Sequence, residues 1–139
     1  MSCPFLFYSI LYICLIRLCY TDIKAKELEH LFIFLILICA PFWDVPFPSR
    51  IAGAMLPFFI YKFLAKGDIY LLSVLGFVFG TKGIIQIYIY ASLASGILCL
   101  IFLLLNKIKR DDEIPFAPYI AFGCTIYIVN TGLENIISS

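Results

Sequence analysis

Two aspartates stand at the ends of strongly apolar stretches, where a carboxyl group can take part in catalysis. Asp22 follows the apolar residues 3–20, and Asp68 precedes the apolar residues 69–80. A carboxyl group that lies partly out of water is harder to ionise, and two such groups in contact share one proton. One of them can then take a proton from water while the other, still protonated, polarises a carbonyl. If the fold brings them together, the two aspartates predict the chemistry of an aspartic protease.

The composition predicts an integral membrane protein. Of the 139 residues, 63% are hydrophobic and 14% are charged, whereas a soluble domain has about 45–50% apolar and about 25% charged residues. The mean hydropathy is +1.04. A water-soluble fold of this size could not bury so much apolar surface, and a disordered chain is excluded for the same reason. A net charge of +1 gives no basic field for nucleic acid.

Both aspartates also have structural interpretations. Asp68 follows a glycine and precedes an apolar run, which is a good position for a helix N-cap, and Asp22 can simply mark the membrane edge. His30, the single histidine, is interpreted as an interfacial polar residue, with a proton relay as the alternative. The remaining acids are interpreted as solvated loop or tail charges: Glu27, Glu29, Asp44, Asp111, Asp112, Glu113 and Glu134.

The apolar stretches predict an all-α bundle of six transmembrane helices in a single membrane-embedded domain over residues 1–139. The stretches are residues 3–20, 31–43, 51–64, 69–80, 83–105 and 114–129. The second, third and fourth are shorter than the roughly 20 residues that a bilayer needs, so they must use flanking residues or a thinned membrane. The spacings Gly76-x-x-x-Gly80 and Ser92-x-x-x-Gly96 predict close helix packing.

The distribution of lysine and arginine predicts the orientation. Six spans place only Arg50 and Lys82 on one side, and eight cationic residues on the other: Arg17, Lys24, Lys26, Lys62, Lys66, Lys107, Lys109 and Arg110. Joining the fourth and fifth stretches into one span would put five lysine and arginine residues on one side of the membrane and four on the other, and it would bury Lys82 in the membrane. We therefore predict a break at residues 81–83, cytoplasmic loops at 21–30, 62–68 and 106–113, and both termini outside the cytoplasm.

The six cysteines include no CxxC pair, and most lie inside apolar runs: Cys3, Cys14, Cys19, Cys39, Cys99 and Cys124. We interpret them as small hydrophobic residues rather than as disulfide partners or metal ligands. The sequence thus predicts neither a metal site nor a cofactor.

Three segments together resemble the type IV prepilin peptidase family of membrane aspartic proteases, the GxGD type. Residues 20–30, YTDIKAKELEH, resemble the family's aspartate with its basic stretch and Ile-Pro-Asn. Residues 65–76, AKGDIYLLSVLG, resemble Gly-x-Gly-Asp-x-Lys-Leu-Leu with its downstream glycine. Residues 114–123, IPFAPYIAFG, resemble the proline-rich entry to the last helix. The resemblance carries the family's two catalytic aspartates onto Asp22 and Asp68.

The resemblance implies that the chain cleaves the leader of a prepilin-like or pseudopilin substrate at the cytoplasmic face of the inner (plasma) membrane. The segment with paired CxxC motifs, which accompanies methyltransferase activity in long members of the family, has no counterpart here, so peptidase activity alone is expected. Two alternatives are a catalytically silent scaffold that assembles pilin-like subunits, and a small carrier that uses the same carboxylates as a proton pathway.

The sequence departs from the family pattern near both aspartates. Glu29 and His30 stand where Pro-Asn is usual, Ala65 replaces the first glycine of the GxGD motif, and Tyr70 stands where lysine is common. Because Asp22 and Asp68 both remain, the resemblance still implies an active enzyme.

Overall fold

The computed structural model describes residues 4–25, 30–38, 40–42, 45–60, 62, 66–109 and 116–138. Within these ranges the chain is helical and contains no β-strand, which confirms the all-α prediction. The α-helices are α1 (Pro4–Ala25), α2 (His30–Ile38), α3 (Phe47–Phe59), α4 (Lys66–Leu104) and α5 (Ala117–Ser138), and a short 3₁₀ helix covers Ala40–Phe42. Helix α4 packs against α2, α3 and α5, and α1 packs against α2 and α5.

Helix α4 consists of two helical arms that meet at Gly80. Gly80 has φ 77° and ψ −174°, a backbone conformation that essentially only glycine adopts. We call residues 66–79 the first arm and residues 81–104 the second arm. The sequence predicts the break at residues 81–83, but those residues are helical and the break lies at Gly80, because glycine is the residue that tolerates this conformation.

Polar groups from α3 satisfy the backbone at this break. The amide of Thr81, the first residue of the second arm, donates a hydrogen bond to Ser49 Oγ at 3.1 Å. The Thr81 hydroxyl donates to the Ser49 carbonyl oxygen, also at 3.1 Å. A helix start leaves amide groups without intrahelical partners, so Ser49 supplies the acceptor that the break would otherwise lack.

Helix α3 packs against α4 through glycines. A Cβ atom on Gly53 would lie 2.5 Å from the carbonyl oxygen of Gly76 and 2.8 Å from the carbonyl carbon of Gly80. The close packing predicted for Gly76-x-x-x-Gly80 is therefore confirmed. The same prediction is wrong for Ser92-x-x-x-Gly96 within the described part of the chain, since no atom there lies within 4 Å of a Cβ built on Gly96.

The two arms of α4 lie side by side against α3. Leu72 of the first arm and Ile84 and Tyr88 of the second line one apolar cavity of about 140 Å³ together with Leu56 of α3. Leu72 and Tyr88 lie eight residues to either side of Gly80, so the chain must fold back at this glycine for both to reach one cavity.

Arg50 is a buried structural residue rather than a loop charge. It is 8% exposed, and its guanidinium donates from Nε to the Val45 carbonyl at 3.0 Å and from Nη1 to the Ala40 carbonyl at 2.7 Å. A further bond reaches the Phe77 carbonyl of α4 at 3.4 Å. These bonds repay part of the cost of burying the charge, and they tie α3 to the 3₁₀ turn and to the first arm.

The surface is strongly apolar. Among the described residues α4, over Asp68–Leu104, is the one helix that is both long and apolar enough to cross a bilayer, and only 11% of its most apolar stretch is buried inside the protein. The core helix of a soluble protein would be mostly buried. Large apolar side chains are also exposed on the other helices, for example Ile16 at 67%, Phe34 at 62% and Phe59 at 84%.

Candidate active site

Asp22 continues the buried stripe of α1. Leu11, Leu15 and Leu18 are each at most 1% exposed, and their spacing of three or four residues puts them on one helix face. Asp22 lies four residues beyond Leu18 on the same face and is 7% exposed. The helical periodicity of α1 therefore places this carboxyl group on the buried face of the helix.

Asp68 opens a second buried stripe in the first arm of α4. Leu71, Leu72 and Leu75 follow it on the same face, and each is at most 1% exposed, while Asp68 itself is 8% exposed. The helix begins at Lys66, so Asp68 lies inside the first turn. The alternative prediction, that Asp68 serves as the N-cap of this helix, is therefore wrong. Both aspartates are thus buried by the apolar pattern of their own helices.

The structure brings these two carboxyl groups close enough for a charge on one to disfavour ionisation of the other. Two neighbouring buried carboxylates repel each other, so ionising both is costly and a state with one shared proton is favoured. Such a pair can supply one acid and one base to the same reaction. Within the described residues no group of three histidine, cysteine or acidic side chains is arranged to hold a metal ion.

The start of α5 completes the surroundings of Asp22. The backbone amide of Ala117 donates a buried hydrogen bond to Asp22 Oδ2 at 3.1 Å. Phe116 precedes the helix, and its carbonyl oxygen accepts hydrogen bonds from the backbone amides of Tyr119 and Ile120 at 3.0 and 3.1 Å. Ala117 is therefore the first helical residue, whose amide has no partner within its own helix, and the Asp22 carboxylate provides one.

Sequence reasoning missed this hydrogen bond. A backbone amide has no side-chain signature, and Ala117 is an ordinary apolar residue in the pattern. The available signal was Pro118, which belongs to the segment that resembles the proline-rich entry to the last helix and lies in the first turn of α5. A proline in the first turn marks where a helix begins, and hence where free amides point. Pro115, predicted beside it, lies outside the described residues.

Two of the departures from the family pattern contact each other. The rings of His30, the first residue of α2, and Tyr70 stand edge to face, with centroids 6.0 Å apart and an interplanar angle of 78°. Tyr70 is 51% exposed and lies two residues after Asp68. The departures at these two positions therefore meet in one surface patch near the start of α4. Glu29 and Ala65 lie outside the described residues.

A basic and aromatic cluster surrounds the end of α1. The Arg17 guanidinium and the Lys24 ammonium lie 5.9 Å and 5.6 Å from the centroid of the exposed Tyr20 ring. Tyrosine with lysine and arginine is typical of a membrane–water interface. Asp22 follows Tyr20 by two residues and is buried on the opposite face of the same turn.

An apolar groove opens between the second arm of α4 and the start of α5. Its volume is about 460 Å³. Its lining includes Pro118 and Tyr119, which follow Ala117, the hydrogen-bond donor to Asp22, so the groove and the aspartate site share the first turn of α5. Its lining residues are Ala94, Ile97, Leu98, Pro118, Tyr119 and Phe122.

Comparison with known proteins identifies a family for the chain. The sequence model of the type IV leader peptidase family matches residues 9–104, which is more than half of the chain and includes both Asp22 and Asp68. No curated protein and no solved structure matches the chain. The family match covers α2, α3 and α4 completely and most of α1. The chain therefore belongs to the type IV leader peptidase family, the prepilin peptidases.

Proposed function

We propose that this chain is an aspartic endopeptidase with Asp22 and Asp68 as its catalytic residues. One observation carries the proposal. Two buried carboxyl groups from different helices are in electrostatic contact, and both lie within the residues that match a family of leader peptidases. The proposed substrate is a prepilin-like or pseudopilin protein with a short basic leader before an apolar helix, cut after a glycine as the resemblance implies.

The chemistry needs one proton on the pair. The ionised carboxylate takes a proton from water, whose oxygen attacks the scissile carbonyl carbon, and the protonated carboxyl stabilises the developing charge on the carbonyl oxygen. Collapse of the tetrahedral species breaks the C–N bond, and the departing amine takes up a proton. Burial strengthens these electrostatic interactions because water does not screen them.

We further propose that the chain crosses the inner membrane six times, with the site at the cytoplasmic face. The side-by-side arms of α4 support separate fourth and fifth spans joined at Gly80. The asymmetry of lysine and arginine supports the orientation. Helix α1 has 22 residues and rises about 33 Å, enough for a hydrocarbon core about 30 Å thick.

The groove between α4 and α5 suits the apolar helix of the substrate. Its lining is almost entirely apolar, and it includes Pro118 and Tyr119, which follow the residue that binds Asp22. A substrate helix lying in this groove would enter sideways from the membrane and present the peptide bond at its cytoplasmic end to the pair. The substrate helix is the proposed occupant because the groove and the site share the first turn of α5.

Filling the groove tests this docking mode. Ala94→Phe narrows the groove and should raise KM for the substrate severalfold while leaving kcat within about threefold, since loss of ground-state binding acts mainly on KM. Leu93→Phe is the matched control, because Leu93 is the neighbouring residue, is 58% exposed and does not line the groove. Equal effects of the two substitutions on KM would rule out docking in this groove.

Co-expression with prepilin-like proteins from the same genome tests the proposed activity. Leader loss is followed by gel shift and intact mass for the wild type, Asp22→Asn and Asp68→Asn. Each variant keeps the side-chain volume but cannot share a proton, so each should abolish cleavage while the protein remains inserted. Glu134→Gln, an acid-to-amide change at an exposed position, should cleave normally.

Each outcome has a definite meaning for the proposal. Cleavage that needs both aspartates supports the peptidase and its pair. Normal cleavage by either asparagine variant contradicts the assignment of the pair. If the folded wild type cleaves none of several candidates, the silent scaffold for pilin-like subunits becomes the better interpretation.

A further inference from the structure

The two carboxyl groups have different hydrogen-bonding environments. Asp22 Oδ2 accepts a hydrogen bond of 3.1 Å from the buried backbone amide of Ala117. Ala117 is the first residue of α5. A charge-assisted bond of this type is stronger than a neutral one, and the positive end of the α5 dipole adds to it. Both effects favour the ionised form of Asp22. Ala117 lies beyond the residues that match the family.

Asp68 has a less favourable environment for charge. It lies in the first turn of α4, so it gains the field of a helix start, but no hydrogen bond to its carboxyl group is found in the part of the chain that the structure describes. The repulsion between the two carboxylates acts on both groups alike, so it does not decide which of them keeps the proton. A direct bond from an amide outweighs the more diffuse field of a helix end. Of the two groups, Asp68 is the better site for the shared proton.

The other neighbouring groups do not change which of the two carboxyl groups ionises more readily. On α1 the Cys19 thiol interacts with Asp22, on α4 the interacting group is Asp68, and on α5 it is the Ala117 amide. Among the described residues no lysine, arginine or histidine acts on either carboxyl group. The Ala117 amide is thus the feature that distinguishes Asp22 from Asp68.

We propose that the Ala117 amide fixes the roles within the pair, so that Asp22 is the ionised base and Asp68 the protonated acid. The assignment rests on the proposed peptidase function. Asp22 takes a proton from water as the water oxygen bonds to the carbonyl carbon, and Asp68 gives its proton to the carbonyl oxygen. The resulting gem-diol returns one hydroxyl proton to Asp68 as the C–N bond breaks, and Asp22 passes its proton to the departing amine. The pair ends as it began. Ala117 acts through Asp22 and is a positioning residue.

The roles can be tested by titrating each carboxyl group separately. Asp68→Asn leaves Asp22 as the single carboxyl group of the pair, and Asp22→Asn leaves Asp68. The full-length variants are reconstituted in lipid vesicles with isotope-labelled aspartate, and the carboxyl bands are followed by infrared spectroscopy against pH, with the double variant subtracted. We expect Asp22 to ionise at a midpoint about one pH unit or more below that of Asp68, the effect of one bond to a charged group. Equal midpoints, or the reverse order, overturn the assignment.

A second comparison isolates the amide. In the Asp68→Asn background, Ala117→Pro removes the donor at a position where proline suits the helix, and Ala117→Gly keeps the donor while removing the methyl group. The Asp22 midpoint should rise by about one pH unit with proline and stay in place with glycine. An unchanged midpoint with proline, or equal shifts in both variants, overturns the role of Ala117. Neither titration needs a substrate, so failure of the cleavage assay contradicts the peptidase proposal and leaves these results to be judged separately.

Discussion

At the scale of single residues, burial distinguishes the two aspartates from Glu134, the other acid that the structure describes. Among the described residues the buried charged side chains are Asp22, Arg50 and Asp68, whereas Glu134 is exposed. Arg50 is satisfied by backbone carbonyls, so its burial has a structural explanation. The two aspartates are instead buried close enough to interact electrostatically, an arrangement that costs stability because like charges repel. A costly arrangement of this kind is typical of a functional site.

The His30 patch gives a prediction at this scale. Glu29→Pro with His30→Asn restores the residues usual in the family and removes an edge-to-face pair with the exposed Tyr70. Such a pair adds about 0.5–1.5 kcal/mol, so we expect only a small fall in thermal stability and no loss of cleavage of an ordinary family substrate. Tyr70→Phe, which keeps the ring, is the control. A large loss of cleavage would show that the segment around Glu29 and His30 is adapted to an unusual substrate.

Most of the site could be predicted from side chains, and the part that could not is backbone. The apolar stretches beside Asp22 and Asp68 indicated where both carboxyl groups lie relative to the helices. The sequence did not reveal the Ala117 amide, because every residue except proline carries the same donor. It also gave no indication that His30 meets Tyr70, since that contact depends on how α2 packs against α4.

At the scale of the helices, the break at Gly80 determines the shape of α4. It lets the first arm hold Asp68 while the second arm returns beside it and contributes to the groove next to α5. Charge patterning separated the two arms in sequence but placed the break at residues 81–83. The deciding features are local: the φ of 77° at Gly80 and the acceptor that Ser49 offers to Thr81.

Substitution of Gly80 tests the importance of this break. Gly80→Ala forces a Cβ atom to within 2.6 Å of Val45 Cγ1 and 2.8 Å of Ser49 Oγ, in a backbone conformation that costs about 1–3 kcal/mol for other residues. We expect the free energy of unfolding in detergent to fall by about that amount. Gly96→Ala, at a helical glycine with open space around it, should be neutral or slightly stabilising. Equal effects of the two substitutions would refute a special role for Gly80.

At the scale of the whole molecule, the apolar surface and the charge distribution together support a membrane protein. Exposed large apolar side chains occur along α1, α2, α3, α4 and α5, far more than a soluble monomer usually shows in contiguous patches. Composition was sufficient to predict this surface. It could not predict the burial of Arg50, because the charge pattern of a loop does not reveal which carbonyl groups the fold will bring to it.

The number of spans gives a prediction that separates two topologies. Lys82→Cys and Lys107→Cys place thiols at exposed positions on opposite predicted sides. A membrane-impermeant maleimide applied to intact cells should modify the thiol at position 82, and the thiol at position 107 should react only after permeabilisation. The wild type, with its own cysteines, gives the background. Protection of position 82 on both sides of the membrane would mean that the two arms form one span.

The central claim is that Asp22 and Asp68 act as one unit in peptide hydrolysis, and its most direct test is a cycle of kcat/KM values. Purified wild type, Asp22→Asn, Asp68→Asn and the double variant are assayed in vesicles on one prepilin-like substrate. Each single variant should lose about 10²–10⁴-fold, and the double variant should lose no more, because residues that act as a unit are not additive. A single variant within tenfold of the wild type, or a double variant that loses the product of the two single effects, would contradict the account.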